Sequence, residues 1–100
     1  MRRVPVTVVE RGFVPPGVDA WVPRPRLIVF RRPGLISQRL MAHELAHVNQ
    51  WERHGIAFPA LYVLAWARAG LSYSENAFER EARALERNEC YLSWAREVMP

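Results

Sequence analysis

The chain has no lysine, one cysteine, and a single aspartate beside nine glutamates. Without a lysine amine, Schiff-base and amine-nucleophile chemistry is closed to every side chain and left only to the amino terminus. Cys90 has no second cysteine to pair with, so no internal disulfide forms, which fits a reducing compartment. Long hydrophobic runs are missing as well. The longest mainly apolar stretch, residues 56–67, is well short of the roughly 18 residues that mark a transmembrane helix. Met1, Arg2 and Arg3 resemble the charged start of a signal peptide, but Pro5 and Glu10 interrupt the run that follows. A cytoplasmic location with no transmembrane segment is therefore expected.

One hundred residues, half of them apolar, suffice for one globular domain spanning residues 1–100. All fourteen basic residues are arginines, and the net charge of +4 is unevenly spread. Residues 1–39 carry eight arginines against Glu10 and Asp19, whereas residues 40–100 carry six against eight glutamates. The basic half could attract nucleic acid, an acidic partner or an anionic membrane surface. Phe13, Trp21 and Phe30 lie among those arginines and could stack on bases, although core packing is the simpler role for them.

The β-branched run over residues 4–10 predicts a strand, and RLIVFR over residues 26–31 predicts a second. Between them lies proline-rich turn material, within which residues 19–22 are too short to assign. The two strands are expected to pair antiparallel. Helical periodicity covers residues 35–53, with Ser37 as N-cap if the helix begins later, and Gly55 stops it. A second helix starts near Pro59 and ends at Gly70. Its apolar residues Leu61, Tyr62, Val63, Leu64 and Trp66 go nearly all the way round, so one side is a candidate face for a homodimer. A third helix is expected over residues 75–97, capped by Ser72 or Ser74. The fold class expected is α+β, with short antiparallel strands at the N-terminus followed by three α-helices.

Within the first helix, LMAHELAHVN contains the pattern H-E-x-x-H at His43, Glu44 and His47. On a helix, residues four apart lie about 40° apart around the axis and about 6 Å along it, so both imidazoles leave one face and can hold one zinc ion. Glu44 points about 100° from His43, placed to take a proton from a metal-activated water without being a ligand. That is the equipment of metal-assisted hydrolysis. With this content of His and Glu, the pattern arises by chance in about one such chain in a hundred.

Catalytic zinc takes three protein ligands and keeps one position open. His54 fails as the third, because it lies about 10.5 Å along the helix axis from His47. The third helix is the better source. Judged by the apolar face of Phe78, Ala82, Leu85 and Leu92, Glu81 lies about 60° off and Glu79 about 100° off on the other side, so periodicity alone slightly favours Glu81.

The segment Glu79-Arg80-Glu81-Ala82, inside SENAFEREARALE, resembles the second-helix motif of the gluzincins, in which a Glu is followed three residues later by Ala. Taken with HELAHVNQW, residues 27–85 resemble a minimal gluzincin-like zinc metallopeptidase domain, an H-E-x-x-H zincin. The resemblance implies Zn2+ held by His43, His47 and Glu79, Glu44 as general base, and a peptide or protein substrate. It also sets two departures. Arg83 stands where many relatives have an Asp that supports a ligand histidine, and Asn49 stands where an apolar residue is usual. Two short strands could present a substrate backbone to the metal by strand addition. A non-catalytic zinc-binding module that uses the arginine-rich half to bind nucleic acid or an acidic partner is the alternative, as is a scaffold whose helices the metal staples.

Overall fold

A computed structural model describes all of residues 1–100. Three short strands come first: β1 (Thr7–Val9), β2 (Ala20–Arg24) and β3 (Leu27–Phe30). Four helices follow: α1 (Gln38–His54), α2 (Phe58–Arg68), α3 (Ala77–Leu85) and α4 (Glu89–Val98). The small α+β architecture expected from the sequence is present. Its sheet, however, is mixed. In the order β1-β3-β2, the two strands legible in the sequence pair parallel, with Val8 opposite Ile28, and the antiparallel partner of β3 is the unassigned segment β2. Parallel neighbours need a crossover, and here residues 10–26 supply it by laying β2 on the far edge before the chain returns to the middle. The return is a tight turn in which Arg26 adopts φ 62°, unusual for a residue other than glycine. Its guanidinium pairs with Glu52 on α1 at 2.6 Å, tying the turn to the helix.

Helix α1 begins where Ser37 accepts the Leu40 N–H at 3.1 Å and ends at Gly55, whose φ of 60° suits a residue without a side chain. Met41, Ala42, Leu45 and Val48 on its inner face are fully buried against Ile28 and Phe30 of β3, Ala82 of α3, and Tyr91, Trp94 and Ala95 of α4. Asn49 occupies the edge of that face because it anchors other elements. It exchanges hydrogen bonds with the Arg2 backbone at 2.9 and 2.6 Å and accepts from the Tyr91 hydroxyl at 3.0 Å.

The helix expected over residues 75–97 is divided. Asn88 turns extended (ψ 131°) and caps α4 through the Cys90 N–H at 2.9 Å, while Asn76, completely buried, caps α3 through the Phe78 N–H. An unbroken helix of that length would run about 35 Å, as long as the whole molecule at 35 × 28 × 24 Å. Dividing it lets α3 and α4 lie against α1 at separate places. Helix α2 is different in kind. Only Phe58 of its eleven residues is buried, and Val63, Leu64 and Trp66 remain exposed. No helix is long and apolar enough to cross a membrane.

Candidate metal centre

His43 and His47 leave α1 on one face, with ring centroids 5.1 Å apart. Helix α3 crosses that face so that Oε1 of Glu79 lies 3.1 Å from His43 Nε2 and 3.2 Å from His47 Nε2. One donor atom from each of the three residues falls within 4.8 Å of the others. Glu81 does not join them. Its carboxylate accepts from Gln50 Nε2 at 2.9 Å and from Arg53 Nη2 at 2.7 Å. His54, at the end of α1, stacks on Phe58 and meets Phe78 edge-on, away from the cluster.

Each imidazole is oriented by its other nitrogen. Gln50 donates through Nε2 to the Phe78 carbonyl and to Glu81, so its Oε1 is the atom that accepts from His47 Nδ1 at 2.8 Å. Glu86 accepts from His43 Nδ1 at 3.0 Å through one oxygen and from Arg39 through the other. Both histidines therefore carry their proton on Nδ1 when neutral, which leaves the Nε2 lone pairs facing Glu79. The second oxygen of Glu79 accepts from the Tyr62 hydroxyl of α2 at 2.7 Å.

Without a cation the cluster stores protons. Burial works against charge on His47, but the hydrogen bond to Glu79 and the carboxylates of Glu44 and Glu79 override it and raise the group to about 9. His43 is raised too, against its burial, by the hydrogen bond to Glu79 and the charge of Glu44. Burial pulls Glu79 upward, yet hydrogen bonds from both imidazoles hold it well below the usual carboxylate range. Glu44 is raised, chiefly because it is buried.

Whether these residues fit a metal can be judged from the donors. Two imidazole nitrogens and one carboxylate oxygen are the ligand set of catalytic zinc, and tetrahedral donors with bonds of about 2.1 Å stand roughly 3.4 Å apart. The 3.1 and 3.2 Å separations from Glu79 are close to that spacing, and the whole set lies within 4.8 Å, so the imidazoles need only a small adjustment to close on one ion. Glu44 lies beside the cluster with 3% exposure, and its Oε1 is a buried polar atom with no hydrogen-bond partner. Buried polar groups are nearly always satisfied, so an unpartnered carboxylate oxygen beside the cluster leaves an acceptor for a group that enters from outside. The residues fit.

A cleft of about 450 Å³ opens onto Glu44, His47 and Glu79. Its walls come from the proline-rich segment and β2 on one side and from α2 on the other. β2 is an edge strand, but Pro23 has no N–H and the Val22 carbonyl already accepts from Trp51 Nε1 at 3.0 Å, so two of its positions cannot add a strand. Among the aromatic residues considered for base stacking, Phe30 is fully buried, Trp21 lines the cleft and Phe13 is 75% exposed. Comparison with protein-family models, curated proteins and solved structures gives no significant match.

Gln50, Glu86 and Tyr62 escaped the sequence reading. The first two were within reach of it. Gln50 follows His47 by three residues and Glu86 follows Glu79 by seven, and both spacings return to the same helix face. Tyr62 offers no such signal, because it meets Glu79 only through the packing of α2 against α3.

Proposed function

We propose that this protein is a zinc-dependent hydrolase acting on peptide bonds, with His43, His47 and Glu79 as ligands and Glu44 as general base. The observation that carries the reading is the meeting of two Nε2 atoms at Glu79 Oε1, with the unpartnered Glu44 Oε1 nearby and a cleft that Glu44, His47 and Glu79 help to line. When bound, zinc supplies a Lewis acid that polarises a carbonyl and lowers the pKa of water toward about 7.

The chain's own residues account for the rest. Glu44 Oε1 takes a proton from the attacking water and returns it to the leaving amine. Gln50 and Glu86 hold the imidazoles so that Nε2 faces the cluster. Tyr62 restrains the second oxygen of Glu79, which keeps this carboxylate on ligand duty. A substrate seated against the apolar walls would displace water and strengthen each of these contacts. A cytoplasmic location belongs to the same proposal and is supported by the unpaired Cys90.

Glu44→Gln should retain one zinc per chain and lose turnover of a generic peptide mixture by at least about 100-fold. Turnover that survives the change refutes the mechanism. Glu79→Ala should lose zinc stoichiometry while Glu81→Ala keeps it; full retention in Glu79→Ala refutes the ligand assignment.

A further inference from the structure

We infer that the outer face of α2 is the contact between two copies of this chain, which form a two-fold dimer. The inference stands apart from the metal reading and holds with or without a bound ion.

The first observation is what α2 turns toward water. Pro59, Ala60, Val63, Leu64, Trp66 and Ala67 are all exposed. The helix has only two polar side chains, Tyr62, which turns inward to Glu79, and Arg68 at its end. A helix on the outside of a single chain keeps its polar residues on the outer side, whereas here both faces are apolar. The outer face also continues past both ends. Ile56, just before α2, is 95% exposed, and Leu71, whose N–H donates to the Trp66 carbonyl at 3.0 Å, is 61% exposed. Leu71 holds φ 64°, a left-handed backbone that leucine seldom adopts. Within one chain that conformation only places an apolar side chain in water; under a second copy the same side chain is buried.

The second observation is area. At roughly 200 Å² for a side chain of this size, Ile56, Val63, Leu64, Trp66 and Leu71, exposed by 39 to 95%, leave about 600 Å² of apolar surface in water. That is the upper end of what a typical monomer leaves open in one patch. Pro59, Ala60 and Ala67 bring the face close to the roughly 800 Å² that each partner buries in a standard interface.

The third is charge. A groove of about 340 Å³ lies between α2 and the start of α3, lined by Arg68 and Glu75 among apolar residues. Both charged residues are exposed, and neither has an ion-pair partner in its own chain. A two-fold axis sets the same patch of each copy against the other, so every contact occurs twice with the roles exchanged. Arg68 of each copy then pairs with Glu75 of the other, while the apolar centre covers itself. The same residues decide against a lipid surface, because a helix that lies on a membrane is rich in Lys and Arg on a strongly polar face, and α2 has one arginine with Glu75 beside it. Val63 also lines the cleft, so the interface reaches the rim of the candidate site.

The test is sedimentation equilibrium on the full chain. The unsubstituted protein should be a dimer with a dissociation constant below about 10 μM, within the range that interfaces of this size span. Ala67→Arg, at an exposed position within the face, sets two like charges against each other across the axis and should leave a monomer up to about 100 μM. Arg68→Glu and Glu75→Arg should each weaken the dimer at least about tenfold, and the double exchange should return it to within about threefold of the unsubstituted chain. An unsubstituted chain that stays monomeric, a dimer indifferent to Ala67→Arg, or a double exchange that restores nothing overturns the inference. A monomeric chain that floats with vesicles of phosphatidylcholine and phosphatidylserine overturns it in favour of a membrane surface. Circular dichroism melts accompany each variant, and should Ala67→Arg fail to fold, the exchanges at the two exposed charged positions decide by themselves.

Discussion

Removing Gln50 should weaken zinc binding more than removing Glu86, although the two side chains do the same work for their histidines. Gln50 is 0% exposed, and its loss as Gln50→Met leaves the His47 Nδ1–H, the Phe78 carbonyl and one contact of Glu81 without their partner. At that burial the spot has no contact with solvent from which a water could take over. Outer hydrogen-bond partners of metal ligands are worth 10- to 100-fold in affinity, about 1.4 to 2.8 kcal/mol, and a dry position belongs at the upper end. Glu86 is partly exposed and also held by Arg39, so in Glu86→Ala a water can accept from His43 Nδ1. The expected losses are thus about 100-fold for Gln50→Met and about 10-fold for Glu86→Ala. Competition against a chromophoric chelator at fixed pH measures both. Urea denaturation of the metal-free proteins, run alongside, should show Gln50→Met destabilised by about 1 to 3 kcal/mol for the orphaned groups. Unchanged zinc affinity in Gln50→Met, or a larger loss in Glu86→Ala, would refute the argument from burial.

The metal-free protein should lose stability as pH rises. His47 is raised to about 9 from 6.5, so its contribution is complete below 6.5 and disappears as pH climbs through the folded value. Zinc must displace that proton, so apparent zinc affinity should rise across the same window. Thermal melts with and without chelator at pH 6, 7.5 and 9 check both, and a metal-free melting temperature that is flat or rising across the window contradicts the assignment. Asn76→Ala removes the α3 cap and also a donor to the Tyr62 carbonyl at 3.1 Å, so it should cost more than the roughly 1 kcal/mol of an ordinary cap. Ser37→Ala, losing only a cap on an exposed edge, is the comparison; equal costs by denaturant titration would rule out the second contact. Leu45→Ala, in the fully buried face of α1, should cost about 2 to 5 kcal/mol in the same assay.

Local signals carried the reading furthest where a whole element repeats them. The α1 periodicity and the placing of both histidines on one face follow from a 3.6-residue repeat, and the Ser37 cap and the Gly55 stop follow from the chemistry of those two residues. The sheet was less legible. β2 lies in proline-rich material and contains Pro23, so composition does not mark it as a strand, and without it β1 and β3 look like an antiparallel pair. Asn88 is a good cap residue, but the break between α3 and α4 shows in the sequence only as Asn within a run of helix formers.

Two glutamates on α3 compete for the ligand position, and the helical wheel leans toward Glu81. The wheel assumed that the core defines the facing side. In the structure α3 crosses α1 so that Glu79, at the edge of the buried face, meets the imidazoles, while Glu81 is occupied by Gln50 and Arg53. Arg83 donates to the Ser74 carbonyl, and it is Glu86 that supports His43.

From the sequence alone come the chemistry available and the helix that carries it: no lysine, no disulfide, two imidazoles and a carboxylate within five residues of one turn-and-a-bit of helix. Such features depend on neighbours along the chain, and a helix sets those distances by its own hydrogen bonds. Which distant glutamate reaches the imidazoles, what orients them, and how a proline-rich segment becomes the wall of a cleft were decided only when α2, α3 and the sheet packed around α1. Those contacts join residues up to 43 positions apart, as between His43 and Glu86, where no local repeat relates one to the other and the burial of the shared core sets the geometry.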